Sequence, residues 1–207
     1  KRFLISGGFG NKYFTDSEEY RAFVQKTFFE VWNKGLVYED IKPSLFCPHC
    51  RTTIALAEVE RGEKEGKLYY IKFQLKDSNE TITIATTRPE LLEACRMLAF
   101  NPKDKRYKKL KEMFAIVPLF NFEVPIKERK EIDVNYGTGI MMVCSYGDLD
   151  DVKILAEEKI EPKIVIDEKG KYKGKDLNEA REEIVNELRS KGLIEKEEAV
   201  VQNLPLH

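Results

Sequence analysis

Short strand-forming runs, scattered irregularly among helices, constrain this chain more than any other feature. Leu68–Leu75 and Thr81–Thr86 are rich in β-branched and aromatic residues and flank Asp77-Ser78-Asn79, which predicts a paired hairpin. Phe114–Leu119 and Phe122–Ile126 are shorter, and their prolines confine them to strand ends or sheet edges. Gly139–Ser145 is a strongly apolar strand, and Lys163–Ile166 and Ala199–Val201 add two more. Pro89 suits the first turn of a helix running through Leu91, Leu92 and Cys95 to about Leu98. Further helices are predicted over Leu149–Lys159 and over Leu177–Lys191, the latter stopped by Gly192. This order has no regular βαβ alternation, and it predicts the α+β class: a barrel-like mixed sheet core with flanking helices.

An N-terminal helix is predicted over residues 15 to 35, opened by a Thr15/Glu18 capping box and closed at Gly35. Tyr20, Phe23, Val24, Phe28, Val31 and Trp32 share one face, for which core packing is the expected use. A face this large also suits docking on another part of a parent chain. The chain opens at Lys1 without methionine and closes at His207 just past an apolar stretch, so a piece of something larger is expected. Its organisation reads as a helix and cysteine-knuckle stem over 1–61, followed by the main domain over 62–207.

With 42% hydrophobic residues in 207, the chain can bury a substantial core. Its 35 basic and 36 acidic residues leave a formal charge of −1, which argues against nucleic acid held by overall charge. Local basic clusters at 103–109 and 169–175 could still meet phosphates without reading sequence. No apolar run approaches membrane-spanning length and no signal peptide is visible. A reducing, cytoplasmic setting without a membrane partner is expected, and so is a monomer, since nothing signals oligomerisation.

The chemistry-bearing residues fall in three places. Thr86, Thr87 and Arg88 stand where a strand gives way to a helix start, a place suited to phosphate, ribose or carbonyl oxygen. Asp148 and Asp151, three apart at a helix opening, can face one side and hold an ammonium group or orient ribose or water. Cys47-Pro48-His49-Cys50 is half of a zinc knuckle, for which His49 or His207 could supply a further ligand. Each piece has an adequate structural explanation. Threonines cap helices, arginines make surface ion pairs, aspartates suit helix N-termini, and Gly137-Thr138-Gly139 makes a plain turn.

Their joint order is more specific than any one of them. Together they resemble the editing (CP1) domain of valyl-tRNA synthetases, particularly the archaeal form. The resemblance runs from Phe28–Tyr38 through Cys47-Pro48-His49-Cys50-Arg51-Thr52, Ala57-Glu58-Val59-Glu60 and Leu68-Tyr69-Tyr70-Ile71-Lys72-Phe73. It continues with Ile84-Ala85-Thr86-Thr87-Arg88-Pro89-Glu90-Leu91-Leu92, Ala115-Ile116-Val117-Pro118-Leu119, and Gly137-Thr138-Gly139 through Tyr146-Gly147-Asp148. The threonine-rich peptide is shared with the isoleucyl and leucyl enzymes, whereas Met141-Met142-Val143-Cys144 and Tyr146-Gly147-Asp148 look valyl.

The resemblance implies a class Ia editing-domain fold and hydrolysis of threonine wrongly esterified to the 3′ end of valine tRNA, with threonyl-adenylate as a further substrate. A hydrophobic synthetic pocket rejects an added hydroxyl poorly, the figure already established for valyl enzymes against threonine being about a hundredfold. By position, Asp151 would hold the α-ammonium. Thr86, Thr87 and Arg88 would line the ester and terminal adenosine, with Asp148 near the side-chain hydroxyl, ribose or water. Leu91, Met142 and Cys144 depart from the bacterial pattern of threonine, lysine and threonine, and leave open which group reads the hydroxyl. Cys47 and Cys50 would hold a structural zinc, incomplete in this piece. The editing chemistry itself needs no cofactor. The implied partners are the acceptor end of valine tRNA and the remainder of the synthetase, where alone ATP would be used, since the His-x-Gly-His and Lys-Met-Ser-Lys-Ser signatures are absent here. Two alternatives stay open: editing of the isoleucyl type, and a non-catalytic zinc-dependent tRNA-binding module.

Overall fold

The computed structural model describes residues 14–39 and 43–206. Contacts divide the chain into two compact units, Lys1–Lys42 and Pro43–His207, and the cysteine knuckle falls in the second. The first unit contributes one helix, α1 (Glu18–Asn33). Its cap is Ser17, whose hydroxyl accepts the Tyr20 N–H at 3.2 Å, so the predicted Thr15/Glu18 capping box is corrected to a start at Ser17. Gly35 ends it at φ +69°, as expected. The aromatic stripe is not core among the described residues: no α1 residue is buried, and Phe23 is 66% exposed. Among the described residues of its unit, α1 has no second layer on which to bury such a face.

The second unit begins with a small hairpin, β1 (Leu45–Cys47) and β2 (Thr52–Ile54). The main sheet comprises β3 (Glu60–Leu75), β4 (Thr81–Thr86), β5 (Cys95–Phe100), β6 (Phe114–Ile116), β7 (Glu123–Glu128), β8 (Ile140–Cys144) and β9 (Ile194–Leu206). Helices α2 (Leu149–Glu157) and α3 (Leu177–Ser190) flank it. Strand order is β4-β3-β6-β7-β5-β8, with β9 paired to β3. All pairings are antiparallel except β5 with β7. β3 carries β4 on one edge, from Tyr69↔Thr86 to Gln74↔Thr81, and β9 followed by β6 on the other. The two ends of the path, β4 and β8, come back beside each other, so the sheet curls into a half-barrel. The α+β, barrel-like expectation holds.

Two apolar clusters explain where the sequence patterns misled. The larger fills the barrel with Ile71, Phe73, Ile84, Leu98, Phe100 and Ile126, and takes Ala180, Ile184 and Leu188 from α3. The smaller lies on the outer face of β5 and β8, where Met97, Ala99 and Val143 meet Ile154 and Leu155 of α2. β5 and β8 are therefore buried on both faces, which erases the alternation that marks a strand. That is why the helix predicted from Pro89 to Leu98 is corrected. Only Pro89–Ala94 turns, as a 3₁₀ helix, and Cys95–Phe100 is β5.

β3 and β9 run far past the predicted Leu68 and Ala199–Val201 because they pair with each other from Glu60↔Leu206 to Ile71↔Ile194. Much of that ribbon is solvated, so its charged sequence gave no strand signal. Lys163–Ile166 is not a strand, since only Ile166 makes a bridge, to Tyr172. No helix among the described residues is long and apolar enough to cross a membrane.

Candidate functional site

The five residues singled out around the strand end and the distant helix opening come together. Thr86, Thr87, Arg88, Asp148 and Asp151 line one cavity of about 170 Å³, with Ala85, Leu91, Tyr136, Met142, Cys144 and Gly147 among the other walls. It lies between the end of β4 and the end of β8, the two strands that the curl of the sheet brings side by side.

The β4 side is a turn rather than a strand-to-α-helix junction. Thr86 Oγ1 accepts the Arg88 N–H at 3.1 Å, so its hydroxyl shapes the turn, as the capping explanation anticipates. Arg88 does not make the surface ion pair that its residue type alone would predict. Its Nη1 donates to the Gly147 carbonyl across the cavity at 2.7 Å, and its Nε lies 3.5 Å from the Glu90 carboxylate. Glu90 is fully buried and is gripped at 2.8 Å on both oxygens by Arg181 of α3. Nothing in the sequence pointed to Arg181, which lies 91 positions away from Glu90.

The β8 side presents the two aspartates differently. Asp148 is exposed and caps α2, with Oδ1 accepting the Asp151 N–H at 2.7 Å. Asp151 is only 5% exposed; its Oδ2 accepts the Cys144 N–H at 3.1 Å, and its Oδ1 is buried without a hydrogen-bond partner. Burial above all, then the neighbouring negative charge of Asp148, pushes the Asp151 carboxyl up to about 7. The Cys144 N–H and the Arg88 guanidinium oppose that rise, and Asp150 adds to it. Gly147 makes the approach of loop and helix feasible, because a Cβ there would overlap Asp151 Oδ2.

Gly137-Thr138-Gly139 serves architecture. A Cβ on Gly137 would stand 2.6 Å from that of Ala85, and the Thr138 carbonyl accepts the Tyr107 hydroxyl at 2.7 Å. The plain-turn reading is right, but the loop delivers Tyr136, 56% exposed, to the cavity wall. Sequence reading missed that tyrosine, since one aromatic before a glycine turn carries no distinguishing signal. Cys144, buried against Cys95, has its thiol held well above its ordinary range, first by burial, so it is a wall and not a nucleophile.

Below the Glu90 turn, Glu93 accepts the Tyr172 hydroxyl and pairs with Lys163 and Lys173. Burial alone would push Glu93 up, but hydrogen bonds from Lys173, Tyr172 and Lys163 outweigh it and hold the carboxyl at about 2.

In the knuckle, the Cys50 N–H points at Cys47 Sγ, 3.3 Å away. Among the described residues no group of three or more potential ligands is placed to hold a metal, and His207 lies outside them. Cys47 and Cys50 are two thiols, where a tetrahedral zinc needs four ligands.

The chain and its half-barrel fold have known counterparts. Residues 1–146 match the model of the class I tRNA synthetases, the I, L, M and V group, and the chain belongs to that family. Among curated relatives it is 49% identical over its whole length to a valine–tRNA ligase of Nanoarchaeum equitans, covering 28% of that protein. It is 46% identical over 93% of its length to the valine–tRNA ligase of Pyrobaculum aerophilum, covering 25% of it. The chain thus spans about a quarter of the length of these relatives. Among solved structures, a LeuRS in ternary complex with tRNA and LeuAMS from Agrobacterium radiobacter K84 shares the fold. Its TM-score is 0.52 at 18% identity, covering 91% of this chain and 33% of that one.

Proposed function

We propose that this chain is the editing part of a valyl-tRNA synthetase, which hydrolyses threonine from mischarged valine tRNA and from threonyl-adenylate. The observation that carries the reading is the unpartnered Oδ1 of Asp151, buried in a wall of the cavity. A buried carboxylate oxygen without a donor is costly, and an α-ammonium group supplies both the missing hydrogen bond and the opposite charge. A cavity of about 170 Å³ suits an amino-acid moiety and leaves ribose and adenine at its mouth, where Tyr136 stands.

In this reading Thr87 and Arg88 face the ester, and Asp148 keeps its cap while its exposed side orients water. Water adds to the ester carbonyl carbon, the bond from that carbon to the ribose oxygen breaks, and the released oxygen takes the proton. Among the described residues no histidine lines the cavity to serve as base, since His49 belongs to the knuckle. Rate therefore comes from positioning water and from the neighbouring ribose hydroxyl. Leu91, Met142 and Cys144 form the apolar walls. A site that pairs the threonine hydroxyl rejects valine by leaving its own polar groups unsatisfied.

The same reading gives the acceptor end of valine tRNA and the ATP-using remainder of the synthetase as partners, in the cytoplasm, with a monomeric chain. Cys47 and Cys50 are proposed as half of a structural zinc site, which metal analysis before and after chelation tests. The deciding experiment compares release of threonine and valine from their mischarged tRNAs. Threonine release that disappears in Asp151→Ala, with a cooperative folded state retained, is the expected result. Preferential release of valine would move the assignment to isoleucyl-type editing, and tight tRNA binding without hydrolysis would leave a binding module.

A further inference from the structure

Arg88 stands between two sets of anions. On one side is Glu90, fully buried and 3.5 Å from Nε; on the other are Asp148 and Asp151, which share the cavity wall with it. The guanidinium bonds to neither aspartate. It spends its best hydrogen bond, 2.7 Å, on the neutral Gly147 carbonyl. A cation beside two carboxylates in a half-buried cleft is drawn toward them, so something must hold it back.

Glu90 is the group placed to do so, and its own carboxylate is held by Arg181. Two parallel hydrogen bonds of 2.8 Å from the α3 guanidinium occupy both Glu90 oxygens, leaving Oε1 to be shared with Arg88 at the longer distance. The strength of the Arg181 grip therefore determines how strongly Glu90 pulls on Arg88.

We infer that Glu90 and Arg181 are positioning residues: as a balanced pair they hold the Arg88 guanidinium on the Gly147 carbonyl and off the Asp148 and Asp151 carboxylates, which keeps the ammonium site open. The inference rests on the editing reading for its catalytic consequence, but not for the geometry of the four side chains.

The two partners make opposite predictions. Glu90→Gln removes the anion that restrains Arg88, which then swings toward the aspartates. Arg181→Met leaves Glu90 free to draw Arg88 away from the cavity. The groups facing Asp151 are Asp148 and Asp150 at its own helix start, Arg88 from the β4 turn, and the Cys144 N–H of β8. Of these only Arg88 is moved by either change. The midpoint of Asp151 titration, followed by carbon-13 carboxyl NMR on the chain without substrate, should fall in Glu90→Gln and rise in Arg181→Met, each by about one pH unit. In threonyl-tRNA deacylation, Glu90→Gln should raise KM about tenfold with a smaller change in kcat, because Arg88 then competes with the ammonium. That KM effect should vanish on an Arg88→Met background.

The lost charges act directly on Asp151 with the same signs even if Arg88 stays put. Both shifts are therefore repeated on an Arg88→Met background, where the inference expects most of each to disappear. A purely structural clamp leaves the shifts unchanged on that background and gives additive losses with Arg88→Met. Either outcome overturns the inference. If Arg181→Met fails to fold, Arg181→Lys keeps the charge but loses the fork and should give the same upward shift, smaller. Opposite shifts in a chain that releases no threonine would sink the editing reading alone. Threonine release without those shifts would sink the positioning role alone.

Discussion

Glu90 and Asp151 are two buried carboxylates beside one small cavity, and their surroundings are opposite. Glu90 has every oxygen engaged by arginines, while Asp151 has one oxygen on a backbone N–H and the other on nothing. The first is charge used as scaffold: it ties α3 to the turn after β4. The second is charge kept in deficit, stabilised only when something arrives. A saturated buried acid marks architecture, and an unsaturated one beside a cavity marks a binding site.

The largest test of that contrast makes the same chemical change at both positions. Asp151→Asn should lower threonine release by a factor of about a hundred or more, through loss of a charge-assisted contact of roughly 3 kcal/mol. It should nevertheless stabilise the fold at pH 8 by about 1–2 kcal/mol, since an uncompensated buried charge is gone. Glu90→Gln should instead destabilise by about 1–3 kcal/mol, because it leaves the half-buried Arg181 and Arg88 guanidinium groups without their anion. Chemical denaturation of both variants at pH 8 measures this, and equal signs would erase the distinction.

The pH dependence follows from the same difference. The folded-state carboxyl of Asp151 is raised to about 7 from an ordinary 3.8, so folding favours its protonated form. Its contribution to stability is fully present below about 3.8 and is lost as pH rises through about 7. Wild type should therefore lose stability relative to Asp151→Asn across that window, in paired melts. For the proposed editing reaction the expectation runs the other way: KM should rise as pH falls below about 7, because in that reading the ammonium needs the ionised carboxylate.

Gly147→Ala comes next. A Cβ there overlaps Asp151 Oδ2, so the loop must shift, at roughly 1–3 kcal/mol, and editing should weaken with it. The smallest effect belongs to Glu93, the saturated acid farther from the cavity. Its carboxyl is held at about 2, so its contribution is present above about 4.5 and fades as pH falls toward 2. Glu93→Gln should cost about 1 kcal/mol at neutral pH with editing nearly unchanged.

The sequence made part of this legible. The β3–β4 hairpin, α2, α3 and the apolar β8 all lie close to where residue patterns placed them, because their local signals agree with their tertiary use. β5 was misread as helix because burial on both faces removes the alternation that distinguishes a strand. The β3–β9 ribbon was cut short because much of it faces water, and a backbone ladder leaves no mark on the residue pattern. The five cavity residues were found by their order along the chain. Tyr136 and Arg181 were not, since each acts only through a neighbour that folding supplies.

By itself, then, the sequence determined the residue types at the site, the β-rich α+β class and the family to which the chain belongs. Those depend on identity and spacing, which are local and linear. Only the tertiary structure decided which carboxylate is saturated and which is left wanting. That outcome depends on Arg181 reaching Glu90 from a distant helix and on no donor reaching Asp151 Oδ1. Burial and hydrogen-bond satisfaction are properties of a packed environment, and no stretch of chain read alone contains them.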